Sequence, residues 1–213
     1  MRIALTFDAE HPDRPHRPGV QEDMLTVLRE RHVRATFFLQ GRWVEAFPET
    51  ARKVVADGHL VGSHSFYHAR LPLLSDDGLL VDTRDAERAI QDIAGVDPRP
   101  WFRCPFFAGE DDPRVVRTLR ALGYTIVPAD VILDDWDPDR TGEEIAADAL
   151  AGCATVGDGA IVLLHTWPPQ ALAALPAIID GVHAAGGSFV DVAGLAPERW
   201  NPHPAVTAGG VAG

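Results

Sequence analysis

The chain has 213 residues, 46% of them hydrophobic and 23% charged, which is enough to bury one sizeable core in a single domain. Its formal charge of −12 argues against a nucleic-acid-binding surface, which needs a basic stripe, and disfavours steering of strongly anionic polymers. One lysine, Lys53, in a helical context argues against a chemistry built on a catalytic lysine; Cys104 and Cys153 make no disulfide framework, and no run of about 20 apolar residues is present to span a bilayer.

Residues 2–8 read as a buried β-strand starting directly after Met1. That leaves no room for an export signal, so the expected location is cytoplasmic, or secreted if the chain is the trimmed form of a longer one. Residues 10–19, with Pro12, Pro15 and Pro18, read as a loop, and 20–31 carry Met24, Leu25, Val27 and Leu28 at helical spacing. A second strand is expected over 35–39 and a second helix over 47–57, closed by Gly58. Residues 60–63 form a short strand that delivers His64 and His68 at its far end. A helix over 76–93 ends near Gly95, 103–107 pass from strand to loop, 115–122 are helical up to Gly123, and 125–128 are extended. Residues 143–150 read as a helix, 160–164 as an apolar strand ending at His165, 172–185 as a helix stopped by Gly186 and Gly187, and 188–192 as a last strand. One domain is therefore expected over 1–200, followed by a flexible tail over 201–213 that is rich in Pro, Gly and Ala.

Strands alternating with helices indicate α/β architecture built from parallel βα units. The polar residues of interest repeatedly fall just after a strand, where barrel enzymes place their chemistry. Asp8-Ala9-Glu10 follows Leu5-Thr6-Phe7, and His64-Ser65-Phe66-Tyr67-His68 follows the Gly58-His59 step. Next come Phe102-Arg103-Cys104-Pro105-Phe106, then Asp130 with Asp134-Asp135-Trp136, then Leu163-Leu164-His165. Two imidazoles from one short segment suit a divalent metal of borderline softness, provided a carboxylate completes the set and one position stays open for water. A His-x3-His pair is weak evidence alone among nine histidines; its company gives it weight.

In this order the motifs resemble the polysaccharide deacetylases, the NodB-like carbohydrate esterases of family four, over residues 3–195. The resemblance implies a distorted (β/α)7 barrel and a metal-dependent hydrolase that removes an N-acetyl group from an amino sugar or polysaccharide, with a metal-activated water as nucleophile. It implies Asp8 as general base oriented by Arg103, His64 and His68 as metal ligands, and His165 as the acid that protonates the departing amine. It also implies a backbone N–H of Phe106 as oxyanion donor, Trp136 as a sugar-stacking wall and Leu163 as the lining for the acetyl methyl. The metal expected is zinc, with cobalt or nickel as alternatives.

Three positions depart from the family pattern. Ala9 stands where a second aspartate should bind the metal, and alanine coordinates nothing. Glu10, on the same side of the strand as Asp8 by alternation, is the expected replacement, with Asp8 itself, His11 and Asp13 as alternatives. Ile132 occupies the place of the aspartate that orients the catalytic histidine, so Asp130 is expected to serve, while Asp135 and Trp136 match directly. Cys104 replaces a proline. Ala9 keeps open a metal-independent amidohydrolase acting on a non-sugar amide or ureide. A non-catalytic carbohydrate-binding protein on the same scaffold is the other alternative, and Asp8, Arg103 and His165 in register argue against it. The partner expected is a carbohydrate or small amide, with no nucleic acid and no membrane; oligomeric state is not legible.

Overall fold

Arg2–Ala9 (β1) is buried from Ile3 onward, as expected of a strand covered on both faces. The structure, a computed structural model, describes residues 1–14, 17–195 and 199–200, so the expected tail over 201–213 and Pro15 of the first loop lie outside the described residues. One edge of β1 is taken from Ile3 to Asp8 by the parallel strand Ala160–His165 (β7). The other edge is divided: Thr36–Leu39 (β2) pairs with Thr6 to Ala9, and Ser188–Val190 (β8) pairs with Arg2 to Ala4.

From β2 the sheet continues through Leu60–Ser63 (β3) and Trp101–Phe102 (β4) to Thr125–Ile126 (β5); beyond β7 lies Val131–Ile132 (β6). All pairings are parallel and β5 and β6 end the hydrogen-bonded path. The result is the expected distorted (β/α)7 barrel, with β8 wedged beneath β2. Ile3, Leu5 and Phe7 of β1 and Val162 and Leu164 of β7 join Leu175, Ile178 and Ile179 in the principal core.

The helices are Val20–Glu30 (α1), Gly41–Ala46 (α2), Pro48–Ala56 (α3), Asp76–Ala94 (α4), Pro113–Ala121 (α5), Gly142–Val156 (α6) and Pro169–Ala184 (α7). Side chains start several of them. Ser75 caps α4, Asp112 caps α5 ahead of Pro113, and Thr141 and Glu144 form a capping box on α6. Three differences from the sequence reading have local causes. α2 precedes the expected helix because Pro48 opens a new one, and six residues are too few to show a period. β6 has only two residues. α6 runs past its expected end at residue 150 because Gly152 is a packing residue: a Cβ there would lie 2.5 Å from Val131 Cγ1.

α2 fixes the segment that matters most downstream. Its first backbone N–H, of Gly41, donates to the Ser65 carbonyl at 2.9 Å, and that of Arg42 donates to Phe66 at 3.3 Å. A Cβ on Gly41 would sit 2.2 Å from the Phe66 ring. Gly41→Ala is therefore expected to destabilise the fold by about 1–3 kcal/mol through overpacking, read as a lower denaturant midpoint; an unchanged midpoint would mean the ring yields freely.

Candidate active site

The strand register assembles the site. Asp8 is paired with His165, Ala9 with Leu39, Leu39 with Ser63, and Ser63 with Phe102. One residue beyond each of these last partners the chain presents Glu10, Gln40, His64 and Arg103, which form a buried polar layer at the carboxyl end of the barrel. A barrel of parallel strands gathers its functional groups here because only this end carries the variable βα loops.

Arg103 is fully buried, and each of its three side-chain nitrogens donates a hydrogen bond. Nη1 donates to Asp8 Oδ1 at 2.9 Å and to Thr6 Oγ1 at 2.8 Å, Nε to the Val127 carbonyl at 3.3 Å, and Nη2 to the Pro128 carbonyl at 3.1 Å. Thr6 can accept because its own hydroxyl proton goes to the Val162 carbonyl, 2.7 Å away. The guanidinium carbon also lies 4.2 Å from the centre of the Phe38 ring. Asp8 is thereby held with its second oxygen 3.6 Å from His64 Nε2.

Glu10 is surrounded by imidazoles. Its Oε2 contacts His64 Nε2 at 3.3 Å and also His68 Nε2, while Oε1 lies 3.0 Å from His11 Nε2 and 3.8 Å from His165 Nε2. Burial alone would raise the Glu10 carboxyl, but hydrogen bonds from His11, His64 and His68 and the charge of His165 hold it well below the usual carboxylate range. For His64, burial is outweighed by Asp8, Glu10 and the Arg103 carbonyl, so its pKa rises. For His68, burial prevails and the pKa falls.

The donors fit a divalent cation. His64 Nδ1 lies 2.9 Å from the Arg103 carbonyl, an acceptor only, so Nδ1 carries the proton and the neutral ring turns a bare Nε2 lone pair toward two carboxylates. Lone pair facing carboxylate is repulsive unless a proton or a cation lies between them. One carboxylate with two imidazoles is also the donor set such ions take. Glu10 contacts both His64 and His68, and, among the described residues, the group whose ligand atoms all lie within 4.8 Å of one another is Glu10, His11 and His68. Asp13 is turned away, ion-paired with Arg42 at 3.0 Å.

The loop carrying His68 is pinned from below. Ser65 and His68 both have positive φ, 62° and 59°, and Ser65 Oγ accepts the His68 N–H at 3.0 Å. Asp82 of α4 accepts the N–H groups of Phe66 at 3.1 Å and Tyr67 at 3.0 Å. Nothing in the sequence marked Asp82 or Gln40, since each acts through backbone contacts distant in the chain.

The aspartate beside His165 is Asp135, and the expectation of Asp130 is corrected. Asp135 Oδ1 is 2.6 Å from His165 Nδ1, and its Oδ2 accepts the His165 backbone N–H at 2.7 Å. Asp130 instead accepts the Ile161 N–H at 2.8 Å and pairs with Arg199. Ile161 precedes His165 by four strand residues, about 13 Å at roughly 3.3 Å per residue. The sequence signal for Asp135 was present in its direct match beside Trp136. Burial pulls the His165 pKa down, but Asp135, helped by Glu10 and Asp8, pushes it up to about 9.

A cavity of about 300 Å³ opens over this layer. Beyond the acid–base residues it is walled by Phe106, Phe107, Ile132, Trp136, Leu163 and Trp167. Phe106 and Phe107 have φ of 56° and 54°, a left-handed turn that sets Phe106 at the rim, 4.5 Å ring to ring from His68. Trp136 is 49% exposed at the cavity wall, whereas Leu163, which also lines it, is buried. Cys104 also lines the cavity, but burial raises its thiol pKa and makes it a small apolar filler; it and Cys153 are free.

A buried carboxylate fixed by arginine, a second among imidazoles, and a histidine fixed by aspartate at the mouth of a parallel barrel define a hydrolase of acid–base type. Comparison with known proteins makes this specific. Residues 1–127 match the family described as polysaccharide deacetylase. A chitin deacetylase from Colletotrichum lindemuthianum is 33% identical over 93% of this chain and 82% of its own length. Among solved structures, a family 4 carbohydrate esterase from Streptomyces lividans in complex with acetate is 28% identical, with a TM-score of 0.76 over 88% of this chain and 91% of that one. A family 4 acetyl xylan esterase from Clostridium thermocellum in complex with a cobalt ion is 29% identical, with a TM-score of 0.79 over 96% and 93%. The chain belongs to the polysaccharide deacetylase family.

In protein stripped of metal, the His165 imidazole is expected to titrate near pH 9. Because this exceeds the ordinary 6.5, its stabilisation is complete below about pH 6.5 and is lost as pH rises through about 9. Asp135→Asn should lower the NMR-observed midpoint by about one to three pH units, and Asp130→Asn should leave it in place; the opposite pattern would restore Asp130 to the role.

Proposed function

We propose that this chain is a metal-dependent hydrolase that removes the N-acetyl group of an amino sugar, within an oligosaccharide or polysaccharide. The observation that carries the reading is the Glu10 carboxylate set between His64 and His68, on the same layer as the Asp8–Arg103 and His165–Asp135 pairs. Glu10, His64 and His68 would hold the ion, most simply zinc, with cobalt or nickel as alternatives. When bound, a divalent ion supplies a Lewis acid that eases deprotonation of water and polarises a carbonyl oxygen.

The residues divide the proton work. Asp8, aimed by Arg103, takes the proton of the attacking water. His165, protonated at neutral pH under the influence of Asp135, gives its proton to the amine as the C–N bond breaks. The apolar floor at Leu163 suits an acetyl methyl, Trp136 offers a face for a sugar ring, and the rim at Phe106 offers a backbone N–H to the developing oxyanion. The products are acetate and a free amino sugar.

Elemental analysis and acetate release from N-acetylglucosamine oligomers test this together. Wild type should carry about one metal per chain, and Glu10→Ala and His64→Ala should lose both metal and activity. His165→Asn should keep the metal and lose about 10²–10⁴-fold in kcat. Turnover that survives exhaustive chelation would defeat the metal-dependent reading and favour a metal-independent amidohydrolase.

A further inference from the structure

His11 is a residue the chemistry above leaves unused, yet its placement is costly. It follows β1 with φ 54°, a left-handed conformation uncommon for any non-glycine residue, though less so for His, Asn and Asp than for the others. The conformation is enforced. Its backbone N–H donates to Gln40 Oε1 at 3.0 Å, and its carbonyl accepts the Arg14 N–H at 3.1 Å. Gln40 is itself buried at the end of β2, with its own N–H given to the Ala9 carbonyl at 3.0 Å. The turn folds the imidazole back over the site instead of releasing it to water, and the ring packs edge-on against His68 at 4.6 Å. Strained backbone of this kind persists where surroundings over-determine it, and such positions cluster at functional sites.

The ligand atoms of Glu10, His11 and His68 all lie within 4.8 Å of one another. Besides His68, Glu10 contacts two further imidazoles: His64, bonded through its other nitrogen to the Arg103 carbonyl, and His11. We infer that His11 is a fourth protein donor of the metal centre, taking up, together with Glu10, the coordination that Ala9 cannot supply. The inference rests on the proposed metal dependence. It has a chemical consequence: with four protein donors, an open position for water would require an ion that accepts five or six.

The test uses chelator-stripped wild type, His11→Asn and His11→Ala, with matching metal-free thermal melts as the folding control. Asparagine tolerates the left-handed backbone without supplying an imidazole. Each protein is titrated with Zn²⁺ against a chromophoric chelator and loaded with Co²⁺ for its visible absorption spectrum. Expected are a loss of zinc affinity of at least ~100-fold, beyond what removal of a supporting partner usually costs, and a changed cobalt spectrum in both variants. A cobalt spectrum identical to wild type overturns the assignment whatever the affinity, because the coordination sphere is then unaltered. Wild type that takes up neither ion would sink the metal-dependent reading itself, and this inference with it.

Discussion

Two carboxylates buried side by side at the end of β1 are the constraint around which this molecule is built. Asp8 is 4% and Glu10 5% exposed, and an uncompensated charge at such a depth costs several kcal/mol. Positive charge must therefore be brought to both, and the two are served differently. Asp8 receives Arg103, whose other hydrogen bonds go to Thr6 and two carbonyls, so that this pair is held rigidly. Among the described residues, Glu10 receives only imidazoles, whose charge is conditional. The first carboxylate is fixed in orientation; the second is left with an appetite for a cation.

The surrounding architecture serves to hold those imidazoles against one another. The short parallel strands bring side chains from distant sequence into a layer, but a strand can aim only one residue at its end. Further ligands need turns. His11, Ser65, His68, Phe106 and Phe107 all adopt positive φ, and each such non-glycine residue costs on the order of 1–3 kcal/mol. The compensation comes from behind. Gln40 holds the first turn, Asp82 and the first N–H groups of α2 hold the second, and the Phe106 ring is clasped between His68 and Arg70. Helices α2 and α4, which contribute no residue to the cavity wall, thereby govern its geometry.

This division explains what could be read from the sequence. The alternation of strands and helices, and the residues standing just past strand ends, are one-dimensional features. The barrel and the convergence of Asp8, His64, Arg103 and His165 were legible because parallel register turns position in a strand into position in a layer. Loop contacts are not periodic. Asp130 and Asp135 flank the same short strand, and which one meets His165 depends on a register that a two-residue β6 does not announce. Helix α2 was invisible for the same reason of length, and Asp82 because an acceptor for backbone N–H groups resembles any helical aspartate.

The exchange of Asp for Ala at residue 9 becomes intelligible through strand alternation. Asp8 and Glu10 face the cavity, so the side chain between them faces the opposite way, and Ala9 belongs to the apolar core with no exposure. A carboxylate at residue 9 on this backbone would enter that core and need the strand to twist before it could reach His64 or His68. Moving the carboxylate one residue onward keeps β1 regular up to Ala9, where it pairs with Leu39, and lets the longer glutamate span the added distance. The same step carries His11 to the edge of the site. The first motif therefore keeps a carboxylate at the site, displaced by one residue, with regular strand geometry preserved and the strain moved into the turn at His11.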